Sequence, residues 1–255
     1  MSTAQPRLRV FAGPNGSGKS TLKNVLPEPL LGVYVNADDI EKTLREHGRL
    51  DLAAYGIDAS AEALKGFLQR SSLLASQHLL QDAEKITLVG QAICLSAMRV
   101  NSYHASVLAD FIRHQLRLRR VSFTFETVMS SADKVEFLSQ AQQAGFRTYL
   151  YYIATEDPAI NVSRVAHRVA SGGHPVPRDK IISRYHRSPA LLRHAIAYTD
   201  RAYLFDNSGD ERIWLAEVTG GQVLEVKSDW LPHWLVAALS LGGSDTDELL
   251  KSLGM

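Results

Sequence analysis

The sequence predicts an α/β protein built on a parallel sheet flanked by helices, and three observations carry that prediction. Strand-like runs at Leu8–Ala12, Gly32–Asn36, Val121–Glu126, Thr148–Ala154 and Ala202–Phe205 alternate with helix-length stretches, the pattern of strands joined by helical crossovers. A glycine-rich turn at 13–21 follows the first run directly and leads into Thr21–Leu26, which reads as the opening of a helix. The 255 residues, with formal net charge +1 and Cys94 as the single cysteine, have the composition of an ordinary globular chain.

Taken in order, the first strand-like run delivers the chain into Gly13-Pro14-Asn15-Gly16-Ser17-Gly18-Lys19-Ser20-Thr21. Glycine, four residues, then Gly-Lys-Ser is the phosphate-binding loop pattern. The glycines open backbone conformations that let successive N–H groups face an anion. Lys19 brings a point charge for the terminal phosphates, and the Ser20 hydroxyl is a hard ligand suited to Mg²⁺. A helix starting near Lys19 would add the positive end of its dipole. These residues point to a bound nucleoside triphosphate.

The second run ends in Asn36-Ala37-Asp38-Asp39-Ile40. In open parallel sheets the strand ends that carry the phosphate loop also carry the ligand crevice. A carboxylate there could orient and deprotonate an acceptor hydroxyl, which favours Asp38 as base with Asp39 as the fallback. Either aspartate could instead cap a helix over 40–46. Residues 50–120 read as a helical insertion, with apolar spacings of three and four at Leu64, Phe67 and Leu68 and at Leu108, Phe111 and Ile112. Glu126 closes the third run, where it could bind Mg²⁺ through water, hold a substrate hydroxyl, or be a solvated edge or capping residue.

Beyond the fourth run, residues 164–187 hold six Lys or Arg (164, 168, 178, 180, 184, 187) against one acid, Asp179. Arg164 and Arg168 share one helical face, and Arg184 and Arg187 another. Between them lies a Gly172-Gly173-His174-Pro175 loop. The segment reads either as an arginine-rich lid that neutralises developing charge and excludes water, with His174 able to touch phosphate, or as a solvated basic face. Asp206-Asn207-Ser208 follows the fifth run and could line a base pocket or simply make a turn. Two apolar stretches around Gly220-Gly221 read as a C-terminal β-hairpin, and 245–253 as a further helix.

Near-neutral charge argues against a general nucleic-acid binder. The basic run Arg113, Arg117, Arg119 and Arg120 enters the third strand from its N-terminal side, away from the phosphates. The N-terminal residues lack the basic-then-apolar order of a signal peptide, and the apolar stretch 230–241 is too short to cross a bilayer. A cytoplasmic protein without membrane contact is expected.

Together these pieces resemble the zeta-toxin family of small P-loop kinases and its broad branch of predicted ATPase or kinase proteins. The matching residues are Phe11 to Thr21, Asn36-Ala37-Asp38, Phe125-Glu126-Thr127, Arg164 to Ser188 and Asp206-Asn207-Ser208, covering about 8–208 in the right order. The resemblance implies one P-loop kinase-like domain, ATP and Mg²⁺, catalysis by Asp38, lid arginines on the transferring phosphate, and an antitoxin as candidate protein partner. It also implies a nucleotide-like acceptor, in the best-described members the 3′-hydroxyl of a UDP-activated N-acetyl amino sugar. The chain departs from those toxins at Asp39-Ile40-Glu41, in the length between Asp38 and Glu126, and at the second lid arginine. That arginine falls near His174, where Arg168 or Arg178 could substitute spatially. Two rivals remain: a regulatory ATP-binding module and a polynucleotide kinase.

Overall fold

The computed structural model describes residues 4–96, 98–173 and 175–240. Its strands are β1 (Arg7–Ala12), β2 (Val33–Val35), β3 (Arg49–Asp51), β4 (Ile86–Val89), β5 (Ala92–Leu95), β6 (Phe123–Thr127), β7 (Arg147–Ala154), β8 (Arg201–Asp206), β9 (Ile213–Thr219) and β10 (Val223–Val226). The helices are α1 (Glu28–Leu31), α2 (Ala37–His47), α3 (Ala61–Gln69), α4 (Ser72–Ser76), α5 (Ser102–Leu118), α6 (Ala132–Gln143), α7 (Pro158–Ala170), α8 (Arg178–Ala190), α9 (Leu192–Ile196) and α10 (His233–Ser240). Seven strands make a mostly parallel sheet flanked by helices. The expected helix at 245–253 and the residue His174 lie outside the described residues. Among those described, no helix is long and apolar enough to cross a membrane.

Internal contacts gather the chain into two compact units, one of residues up to Leu31 and from Glu126 onward, the other Gly32–Phe125. In the first, β7 runs parallel to both β1 and β8, in the registers Ala12↔Tyr152 and Ala154↔Asp206. The C-terminal ends of β1, β7 and β8 therefore lie side by side. Strands this buried read as nearly continuous apolar runs rather than alternating ones; Leu8, Phe11, Leu150, Tyr152, Ile153 and Leu204 are fully enclosed. The expected hairpin follows, with β9 antiparallel to β8 and β10 antiparallel to β9.

In the second unit β2 pairs in parallel with β6, and α2 packs on α5 through a core including Ile40, Leu44, Leu108 and Ile112. The insertion is not wholly helical. Strands β3, β5 and β4 form a separate antiparallel sheet, with β4 and β5 turning at Gly90-Gln91. Thr87, Leu88 and Val89 on one side and Ala92, Ile93 and Cys94 on the other suit a pleated surface, and this local signal outweighs the helical spacing around it.

Two helix starts also differ from expectation. Asn36, not either aspartate, caps α2, its Oδ1 accepting the Asp38 N–H at 2.8 Å. The helix thus begins at Ala37, ahead of the expected 40. After the phosphate loop, Lys19–Val25 is wound as a 3-10 helix rather than an α-helix. Thr21 Oγ1 donates to the Gly18 carbonyl, competing with regular helical bonding. At the other end, Leu26 is extended, the conformation favoured before a proline.

Candidate active site

The loop is built by contacts from four directions, all within the first unit. Gly13 N–H donates to the Thr127 carbonyl at the end of β6, and Ser17 N–H to the Pro14 carbonyl, each at 3.3 Å. Lys19 Nζ donates to the Gly13 and Pro14 carbonyls, both at 2.8 Å, which gathers the ammonium onto the loop. Asn207, directly after β8, donates from Nδ2 to the Ser17 carbonyl at 2.8 Å. Its amide lies so close that a Cβ on Gly18, whose φ is +99°, would sit 2.4 Å from Nδ2; only glycine fits there. Ser17 is fully buried and its hydroxyl has no hydrogen-bond partner among the described residues. Ser20 and Thr21 are exposed at the start of the 3-10 turn.

The two helices of the arginine-rich segment, α7 and α8, form as expected and pack on each other. Their arginines divide into different uses. Arg184 on α8 reaches the loop, donating to Asn15 Oδ1 at 3.3 Å. Arg164 on α7 instead grips the segment after β8, donating to the carbonyls of Asn207 at 2.6 Å and Gly209 at 3.1 Å. Arg168 and Arg187 are exposed. Half-buried Glu126 stands on β6, one residue before the carbonyl that receives Gly13. Two residues past Thr127, buried Met129 holds a positive φ of 52°, a conformation costly for a long side chain and met most often beside functional sites.

A polar network ties α7 and α8 to the ends of the strands. Asn161 on α7 donates to the Asn15 carbonyl at 2.6 Å and accepts from the Thr155 hydroxyl. Tyr185 OH donates to the Thr155 carbonyl at 2.7 Å, and Ser188 Oγ to the Val128 carbonyl at the same distance. Tyr152 OH pairs with Ser188 Oγ at 3.0 Å. Burial, with the nearby Glu156, Asp157 and Asp206 carboxylates, pushes the Tyr185 phenol up to about 12, so it stays a proton donor. Asp206 is buried, accepting Trp234 Nε1 at 2.8 Å.

In the second unit, Asp38 and Asp39 occupy the exposed first turn of α2, immediately after β2. The basic run is divided: Arg113 is buried, ion-paired with Asp110 and stacked over Phe125 at 4.3 Å, whereas Arg119 and Arg120 are exposed. No group of three or more His, Cys, Asp or Glu able to hold a metal occurs among the described residues.

Residues 8–184 match the AAA domain family, more than half of the chain. The chain belongs to the AAA domain family. An uncharacterized protein of Haemophilus influenzae is 29% identical over 113 residues, covering 41% of this AAA domain chain and 78% of its own length. Among solved structures, the native AvrRxo1-ORF1:-ORF2 complex matches with TM-score 0.52 at 18% identity, over 88% of this chain and 61% of that one. The AvrRxo1-ORF1:-ORF2 structure with ATP matches with TM-score 0.50 at 17% identity, over 98% and 63%. This chain thus spans less than two thirds of either of those chains. At such identities the likeness is one of fold.

The structure adds Asn161 and Arg212 to the residues expected at the loop. Asn161 carried a readable signal, because asparagine is a poor helix former in the body of a helix and its presence there asks for a reason. Arg212 stands in the turn before β9, beyond residue 184, where the AAA domain match ends. It reaches Thr21 Oγ1 at 3.4 Å and stacks over Phe205 at 5.6 Å, and no local pattern announces it.

Proposed function

We propose that the chain is an ATP-dependent phosphotransferase whose catalytic core is 8–208, moving the γ-phosphoryl of ATP to a hydroxyl of a small nucleotide-like metabolite. The observation that carries this reading is the arrival of Arg184, from a helix 169 residues away in sequence, at Asn15 of the phosphate loop. A loop with only its own lysine suits a nucleotide switch or a binding module. A second cation brought to it from a separate helix suits a reaction in which charge develops on a phosphoryl group in flight. The orphaned, buried Ser17 hydroxyl and the Lys19–Arg184 donor set fit a triphosphate.

In this reading Lys19 and the loop amides hold the β and γ phosphates. Ser20 would offer its hydroxyl to Mg²⁺, which when bound supplies charge neutralisation between those phosphates. Asp38 would orient the acceptor hydroxyl and take its proton as the oxygen bonds to the γ phosphorus and ADP leaves. Glu126 would hold the acceptor or order the metal's water. Arg168 and Arg187, exposed on the paired helices, would add positive charge from the lid and His174 would touch phosphate, while Arg164 adds its charge from beside the 207–209 strip. The acceptor class favoured by the resemblance is a UDP-N-acetyl amino sugar, and an antitoxin is the corresponding protein partner. The test incubates the protein with γ-labelled ATP and Mg²⁺, once with UDP-N-acetylglucosamine and once with a metabolite extract. Label in a small molecule is the expected result; label released only as free phosphate would overturn the reading.

A further inference from the structure

Asn161 is placed where it can act on the phosphate loop without touching phosphate. It is wholly buried, the fourth residue of α7, and both ends of its amide are engaged. Oδ1 accepts from the Thr155 hydroxyl, and Nδ2 donates to the Asn15 carbonyl at 2.6 Å. The fit is close. Gly16 has φ +77°, and a Cβ there would stand 2.6 Å from the Asn161 carbonyl oxygen and 3.0 Å from its Cα. Loop and helix therefore touch backbone to backbone, with no room for a side chain between them. Tyr185 OH, bonded to the Thr155 carbonyl at 2.7 Å, ties α8 to the same residue that orients Asn161.

The consequence follows from peptide geometry. The bond between Asn15 and Gly16 is trans, as are the peptide bonds among the described residues, so the Asn15 carbonyl and the Gly16 N–H point in opposite directions across one rigid plane. Whatever holds the carbonyl aims the N–H. A buried side chain that draws the Asn15 oxygen toward α7 turns the Gly16 N–H away from the helix and toward the hollow of the loop. We infer that Asn161 is a positioning residue for triphosphate binding: it presets the Asn15–Gly16 peptide plane so that the Gly16 amide donates to the bound phosphates. Without that hold the plane is free to rotate, and the cost of ordering it falls on binding. Arg184, on Asn15 Oδ1, grips the neighbouring side chain and leaves the peptide plane to Asn161. This inference rests on the triphosphate reading above.

The test uses the full chain, with Asn161→Asp, Asn161→Ala and Thr155→Val. Asn161→Asp keeps the size and the acceptor for Thr155 but loses the donor, and Asn161→Ala controls for the added charge. ATP affinity is measured by calorimetry, and the Gly16 amide proton is followed in glycine-labelled protein as ATP is added. Both Asn161 variants are expected to bind ATP about tenfold more weakly, the scale of one hydrogen bond to a charged group. They should also lose the downfield shift that the wild-type Gly16 amide shows on binding. Thr155→Val, which removes only the bond orienting Asn161, should weaken ATP by about threefold. Folded Asn161 variants with wild-type ATP affinity and an unchanged Gly16 shift would overturn the inference. If neither Asn161 variant folds, unchanged affinity in Thr155→Val overturns it. A wild type that binds ATP and transfers no label sinks the kinase reading and leaves this result standing, whereas a wild type that does not bind ATP sinks both.

Discussion

The two units of this chain solve different problems with different kinds of bond. Around the phosphate loop, side chains reach across the sequence: Asn161 to Asn15, Arg184 to Asn15, Asn207 to Ser17 and Arg212 to Thr21, over separations of 146, 169, 190 and 191 residues. In the unit from Gly32 to Phe125 many side-chain bonds are local caps, as at Asn36, Asp51, Ser60, Ser71 and Asn101. Asp38, the proposed base, is exposed on a capped helix, its backbone N–H held by the Asn36 side chain. A donor site that must order a polyanion gains from being set in advance, because amides already aimed need no reorganisation on binding.

The largest expected break in this contrast is Asp38→Asn. Phosphoryl transfer should fall by about 10²–10⁴-fold, the range of general base catalysis, while calorimetric ATP affinity stays within about twofold because the donor network is untouched. Transfer near the wild-type rate would assign the base elsewhere. Arg184→Ala should act from the other side. A loss of about 10²-fold in kcat with a smaller rise in the KM for ATP marks an arginine that acts on developing charge; an effect on KM alone would make Arg184 only a loop tether. A smaller change should come from Tyr185→Phe, which leaves the Thr155 carbonyl without its phenol donor. A fall of about 1 kcal/mol in unfolding free energy is the scale of one hydrogen bond, read from urea melts.

The smallest effect belongs to the other unit and is a pH dependence. His104, buried on α5, accepts the Asn101 N–H at Nδ1 and stands with Nε2 3.5 Å from Asp82 Oδ2. Burial holds its pKa below the ordinary 6.5, and Asp82 opposes that only in part. The unfolded chain therefore takes up this proton first as pH falls. The stability that neutral His104 contributes is present above about 6.5 and is lost as pH drops toward and through the lowered value. Melting temperatures between pH 7.5 and 5.5 should decline more steeply in the wild type than in His104→Gln. Equal slopes would remove His104 from the account.

Much of this architecture could be read from local chemistry. The five runs expected as strands lie within one to two residues of β1, β2, β6, β7 and β8, because buried parallel strands write themselves as short apolar runs between turn residues. The hairpin at β9–β10 was legible for the same reason. The small sheet of β3, β4 and β5 was not, although Gly90-Gln91 between two β-prone stretches could have shown its hairpin; helical spacing on either side masked it. The 3-10 turn after the loop was hidden too, since it depends on Thr21 bonding back to Gly18 and on the stop at Pro27. The bonds of Arg164 to the Asn207 and Gly209 carbonyls were likewise not legible from its place in the basic segment.

Alone, the sequence determined the phosphate loop and the apolar runs that become the strands around it, because Gly-rich turns and apolar runs act over a few residues. Which partners hold that loop was decided only in three dimensions. Asn161 and Asn15 are 146 residues apart, and nothing near either one signals the other. Their bond exists because the parallel register of β1 and β7 sets two strand ends side by side, so that the helix after one meets the turn after the other.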